Sequence, residues 1–150
     1  MIDLHFDRTP NCWKIAIMLE EVSAAYNVVK YDLLAGDHLS VSYHTINPNH
    51  KLPAMVDHDP DDGGEPIVLA ETAAMLIYLA EKHGRLLPRQ SRHRAPVLQW
   101  LAWQVSGLGP MMGQASHFLR YARSKDAYSI TRYSSESRRL MAVLDGLLAG

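Results

Sequence analysis

"IDLHFDRTPNCWKIAIMLEEVSAAYNVVKY", residues 2–31, reads as strand, helix, strand. Ile2, Leu4 and Phe6 alternate with Asp3 and His5, the period of a half-buried strand. Thr9 and Pro10 supply an N-cap residue and a proline at the first helical position. Ile15, Met18, Leu19 and Val22 then recur at helical spacing, with Glu20 and Glu21 off that stripe. Tyr26 to Tyr31 is rich in β-formers and reads as a second strand. Three such elements within about thirty residues have the size of a βαβ unit.

Outward from that unit, residues 34–50 are polar and turn-rich, with room for at most one short helix. A short strand is expected at 54–57, behind Pro53, and another at 67–69. Between them DHDPDDGGE, residues 57–65, is turn chemistry: acids, a proline and two glycines do not hold a core strand. Residues 71–83 read as a helix with Ala73, Leu76, Ile77 and Ala80 on one face, closed by Gly84 as C-cap. GRLLPRQSRHR, residues 84–94, breaks the pattern with a glycine, a proline and four arginines. A first domain is therefore expected over 1–84, a linker over 85–92, and a second, helical domain from 93 to 150.

In that second part Val97, Leu98, Trp100, Leu101, Trp103 and Val105 are apolar nearly all round, which predicts a well-buried helix with both tryptophans in the core. Gly107, Gly109 and Pro110 are expected to kink or interrupt it. Ile130, Tyr133, Leu140, Met141, Leu144 and Leu148 mark a final helix. Its apolar stripe is still running at Gly150, so this domain is expected to be incomplete.

The bulk numbers bound the function. At 47% apolar and 21% charged the 150 residues belong with ordinary globular proteins. A formal net charge of -1 gives no pull toward nucleic acid or an anionic membrane surface. No run is long and apolar enough for a bilayer span, and the start MIDLHF is not signal-peptide-like. The single cysteine, Cys12, cannot form an internal disulfide and fits a reducing compartment, so a cytoplasmic location is expected. His5, His38, His44 and His50 lack metal-ligand spacing, and no metal is expected.

Four stretches carry a family resemblance: TPNCWKIAIMLEE at 9–21, NPNHKLPAMVD at 47–57, LAETAAMLIYLAEK at 69–82 and LQWLAWQVSGLGPMMGQASHF at 98–118. They resemble the glutathione transferases. The tail is similar to the nu-class branch, whose members resemble disulfide-bond reductases acting on glutathione. The resemblance implies an α/β thioredoxin-like N-terminal domain followed by an all-α C-terminal domain. It also implies glutathione as substrate, a small electrophile or a disulfide as its partner, and a homodimer. The chain departs from the family in length, and in having Cys12 where the branch often has glycine. Two rival readings remain open at this level: a non-catalytic binding or dimerisation module on a transferase-like scaffold, and an inactive fragment.

Residues can be placed within that expectation. A helix entrance lowers a thiol's pKa through its unsatisfied N–H groups and its dipole. Thr9 and Asn11 are read as the groups that hold the thiolate of bound glutathione, against the plainer reading of an N-cap and a first-turn residue. TPNC has the spacing of the redoxin C-x-x-C motif, with threonine at the first position. Cys12 falls on the second, more buried site and is read as packing, the rival being a mixed disulfide with glutathione. The resemblance implies a cis Leu52–Pro53 peptide, with the Leu52 main chain pairing with glutathione's cysteinyl backbone. Glu71 accepts from an ammonium and Thr72 donates to a carboxylate, matching the γ-glutamyl end. Lys51 and His38 are candidates for the glycyl carboxylate. Arg132, in ITRY, is similar to a family arginine that meets a second glutathione; a plain surface charge is the alternative.

Overall fold

The structure, a computed structural model, describes residues 1–149. The chain divides into two compact units, Met1–Ser91 and, from Arg92 on, a helical unit.

In the first unit, β1 (Ile2–Phe6), β2 (Tyr26–Lys30), β3 (Ala54–Asp57) and β4 (Ile67–Ala70) form one mixed sheet in the order β2-β1-β3-β4. β1 and β2 run parallel, as a βαβ crossover requires, with Leu4 opposite Val28. β1–β3 and β3–β4 are antiparallel, with Leu4 opposite Met55 and Met55 opposite Leu69. This is the thioredoxin-like arrangement the resemblance implied. Because β1 is central, its alternation is imperfect: Ile2 and Leu4 are buried, but so is His5, whose Nδ1 meets the Tyr31 hydroxyl at 2.9 Å. Burial pushes the His5 pKa down, with the Asp3 charge acting weakly the other way.

The helix α1 (Pro10–Glu21) buries Cys12, Ile15, Ala16, Met18 and Leu19. Thr9 is its N-cap, in extended backbone, and its side chain accepts from the Cys12 N–H. α3 (Thr72–His83) begins at Thr72, because Glu71 is its cap at φ 69° and ψ 114°; Gly84 ends it at φ 61°. Between β2 and β3 lie only a 3-10 turn, Asp37–Leu39, and one turn of helix, α2 (Val41–His44). Ile2, Leu4, Ile15, Leu19, Met55, Met75 and Leu79 make the main core, each fully buried aliphatic side chain contributing about 1.5–3 kcal/mol. A second, smaller cluster joins Cys12, Tyr43, Leu52 and Ala54.

The helical unit holds α4 (Ser91–Trp103), α5 (Gly109–Ser116) and α6 (Ala127–Leu148). α4 begins inside the stretch read as linker. The expectation of a well-buried helix is corrected here. No residue of α4 is fully buried, and Trp100 and Trp103 pack edge-on against each other at 5.3 Å. The reason is local to this unit: α5 and α6 pack on each other and take Leu108, Ala115 and Leu140 as their core. At Gly107, Gly109 and Pro110 the α-helix is interrupted, as expected, by a π-helical segment, Gln104–Leu108; a second, His117–Tyr121, follows α5. The first sits just ahead of Pro110, whose ring clashes with an ordinary i−4 carbonyl in a helix interior.

Candidate functional site

The entrance to α1, the turn before β3 and the entrance to α3 meet in the first unit. Their side chains line one hollow of about 170 Å³: Asn11, Asn47, Lys51, Leu52, Pro53, Glu71 and Thr72. Six of the nine residues proposed from sequence therefore face the same space.

Each is held there for a local reason. Asn11 is exposed in the first turn of α1, over N–H groups that have no intrahelical partner. The Leu52–Pro53 peptide is cis, and both residues are buried. The preceding carbonyl, of Lys51, is pinned twice: by the Tyr43 hydroxyl at 2.7 Å and the Asn47 Nδ2 at 2.8 Å. Asn47 itself is buried, and its Oδ1 accepts from the Asn49 N–H at 3.0 Å. His50 takes φ 53° in the same turn and its Nδ1 lies 2.8 Å from the His38 carbonyl. Glu71 holds a left-handed backbone without glycine's freedom, a conformation that persists only where the surroundings impose it. Its side chain makes no cap bond to α3 and is exposed.

Thr9, His38 and Arg132 stand outside that lining. Thr9 is half-buried at the rim of α1, and its hydroxyl is already engaged: it accepts from the Cys12 N–H at 3.2 Å and donates to the Cys12 Sγ at 3.1 Å. His38 sits on the 3-10 turn with its Nδ1 buried and, among the described residues, without a hydrogen-bond partner. Arg132 lies on α6 and borders a separate hollow of about 550 Å³ within the helical unit, together with Tyr128, Glu136 and Arg139. Cys12 is fully buried. Burial pushes its thiol up, against the hydrogen bonds from Thr9, so it is held protonated and away from solvent.

One residue lining the hollow was not singled out from the sequence: Asn47, whose place at the head of NPNHKLP was the available signal. Nor was Lys14, which does not line the hollow but whose Nζ donates to the Thr72 Oγ1 at 3.0 Å. It lies three residues after Asn11 on α1, the spacing that puts two side chains on one helix face. Among the described residues, no group of three or more His, Cys, Asp or Glu side chains is placed to hold a metal ion. No described helix is long and apolar enough to cross a membrane.

Residues 9–82 match the family model described as glutathione S-transferase, N-terminal domain. The chain is 50% identical over 145 residues to the disulfide-bond oxidoreductase YfcG of Escherichia coli (strain K12), covering 97% of this chain and 67% of that protein. It is 38% identical over 148 residues to the disulfide-bond oxidoreductase YghU of the same organism, covering 94% of this chain and 50% of that one. Among solved structures, it superposes with TM-score 0.94 and 38% identity on a glutathione transferase family member from Pseudomonas fluorescens pf-5 with two glutathiones bound. That match covers 99% of this chain and 66% of the other. A glutathione transferase from Pseudomonas putida, with one glutathione disulfide bound per subunit, matches at TM-score 0.94 and 40% identity, covering 99% and 65%. The chain thus spans about half to two thirds of the length of these relatives.

Proposed function

The chain belongs to the glutathione S-transferase family, and on that premise we propose that it binds glutathione in the hollow of its first unit and uses the bound thiolate to reduce a disulfide. The observation that carries the reading is the convergence of Asn11, Lys51, Leu52, cis-Pro53, Glu71 and Thr72 on that one concavity. Support comes also from the relatives: two are named disulfide-bond oxidoreductases, and two solved neighbours hold glutathione or its disulfide.

In this reading glutathione lies extended, with its cysteinyl backbone against Leu52 and its γ-glutamyl end at Glu71 and Thr72. Lys51 and His38 serve the glycyl carboxylate. The sulfur rests at the entrance of α1, where the Asn11 amide and the helix N–H groups favour its anionic form. Thr9 contributes by orientation. While its oxygen caps the helix, its hydrogen turns either to the Cys12 sulfur or to the glutathione sulfur. The thiolate attacks one sulfur of a substrate disulfide, that S–S bond breaks, and the departing sulfur takes a proton. A second glutathione thiolate then attacks the glutathione sulfur of the mixed disulfide. Glutathione disulfide forms and the substrate's other thiol is released; the two glutathiones have supplied two electrons. Arg132 is assigned to that second glutathione. No protein sulfur takes part, in keeping with the burial of Cys12. Conjugation to a small electrophile needs the same bound thiolate and is the second reaction open to it.

The working form proposed is a cytoplasmic homodimer. The family resemblance supports the dimer, and the single unpaired thiol the compartment.

The test has two parts. Calorimetric titration of the purified chain with glutathione shows saturable binding, and a coupled assay shows disulfide-dependent consumption of glutathione. Asn11→Ala lowers kcat about a hundredfold. It also moves the acidic limb of the pH–rate profile up toward the ordinary thiol value of about 8.5. Absence of binding refutes the site; binding without turnover refutes the reaction and leaves a binding module.

A further inference from the structure

Leu52 is buried, yet among the described residues neither its N–H nor its carbonyl has a hydrogen-bond partner. Buried main-chain groups are nearly always paired, so what aims this open donor bears on the site. The Lys51–Leu52 peptide is trans and planar, so its carbonyl and its N–H point in opposite directions, and fixing one fixes the other. A carbonyl oxygen has two lone pairs. Both are taken at Lys51, by the Tyr43 hydroxyl at 2.7 Å and the Asn47 Nδ2 at 2.8 Å.

The two donors are anchored differently. Asn47 lies four residues before Lys51 and accepts from the Asn49 N–H, so its bond is internal to the turn and moves with it. Tyr43 lies outside the turn, on α2, and is fully buried. Its ring meets Tyr31 edge-on at 4.8 Å and tilts against His5 of β1 at 5.9 Å. The Tyr43 bond therefore refers the turn to the central strand of the sheet. Burial pushes the Tyr43 pKa up, so the hydroxyl stays protonated and donates. A phenylalanine would fill the same space without burying a hydroxyl, so packing alone does not account for the oxygen.

From this geometry we infer that Tyr43 is a positioning residue of the proposed site: its hydroxyl ties the Lys51 carbonyl to the core and so aims the Leu52 N–H at the cysteinyl carbonyl of glutathione. Tyr43 does not line the hollow and acts only through that peptide. The assignment rests on the proposed glutathione site and adds to it the residue that holds its backbone edge in place.

Amide hydrogen exchange of the full chain, read residue by residue by NMR, tests it. With glutathione at about a hundred times its Kd, exchange at the Leu52 amide slows about a hundredfold in the unaltered chain. Tyr43→Phe, given glutathione at the same multiple of its own Kd, slows the Leu52 amide by less than about tenfold. The core amides of Leu4 and Met55 still slow about a hundredfold in that variant, because ligand linkage acts on them through global unfolding. Replacing the Tyr43 side chain by 4-aminophenylalanine keeps a donor at the same place and restores the slowing at Leu52. It also serves should the phenylalanine variant fold poorly or bind too weakly to saturate, and absence of slowing there overturns the inference. A merely structural tyrosine would change stability and affinity but leave the Leu52 slowing intact at matched saturation; that result in Tyr43→Phe overturns the inference as well. If the unaltered chain binds no glutathione, the site itself falls. If it binds glutathione with the Leu52 amide unprotected, the Tyr43 assignment alone falls.

Discussion

Cys12 shows why residue identity alone does not assign chemistry. It occupies the second position of a redoxin-like spacing, yet it is fully buried, and burial raises its thiol pKa. Cys12→Ala is expected to keep disulfide-reductase turnover within about twofold and to cost about 1 kcal/mol of stability, the scale of a small buried deletion. Steady-state rates and urea unfolding check both. Native Cys12 is also expected to resist iodoacetamide until the chain is unfolded. A second residue with a calculable consequence is Asp57. Its carboxylate is fully buried and accepts from the Lys82 Nζ at 2.5 Å, the Tyr78 hydroxyl at 2.7 Å and the Asp59 N–H at 3.0 Å. Lys82 also donates to the Asp59 carbonyl. Burial by itself would raise the Asp57 pKa; the Lys82 and Tyr78 hydrogen bonds outweigh it and hold the carboxyl below the usual range. A depressed folded-state pKa stabilises fully above the unfolded value of about 3.9 and is lost as pH falls through the folded value. Asp57→Asn is therefore expected to destabilise by about 3–5 kcal/mol at neutral pH, and to flatten the acid limb of stability below about pH 4. Thermal unfolding of both proteins across pH 2–7 measures it.

At the scale of elements, the helical run from Ser91 to Tyr121 is continuous because its irregularities are absorbed as π-helical segments. Gly109 is the residue that permits the first of them. A Cβ there would lie 2.9 Å from the Gln104 Nε2 and 3.2 Å from the Gln104 carbonyl oxygen, whereas one at Gly113 would meet nothing within 4 Å. Opposite signs follow. Gly109→Ala is expected to cost about 1–3 kcal/mol by overpacking. Gly113→Ala is expected to stabilise by about 0.5–1 kcal/mol, since glycine is the poorer helix former. Denaturant midpoints of the two variants decide between this account and one in which both glycines are mere breakers. The elements were largely legible beforehand. The Thr9–Pro10 entry, the Ile15–Met18–Leu19–Val22 stripe and the Gly84 stop lie where local propensity puts them, because each depends on neighbours within one turn. The π-helical segments were not legible: the first depends on how closely Gly109 approaches Gln104.

On the scale of the whole molecule, the sheet order places β1 and β3 centrally and leaves β2 and β4 at the edges. Hydrogen exchange is expected to be slowest at Leu4, Met55 and Leu19, in the main core, and fastest from Leu34 to His44, where Leu34, Leu39 and Val41 are exposed. Mass-resolved exchange tests that ranking; comparable protection in the two regions would contradict it. The site stands between the two kinds of knowledge. From the sequence came the βαβ order, the caps, the turn at 57–65 and the three motifs that carry Asn11, Leu52–Pro53 and Glu71–Thr72, because these follow from periodicity and short-range backbone chemistry. Tertiary structure alone decided that these motifs share one hollow, that Lys14 of α1 donates to the Thr72 hydroxyl, that the Thr9 hydroxyl turns to Cys12, and that α4 is less buried than its composition predicts. The physical reason is separation along the chain: fifty-eight residues divide Lys14 from Thr72, and only the packing of α1 and α3 on one sheet brings an ammonium to a hydroxyl across that gap.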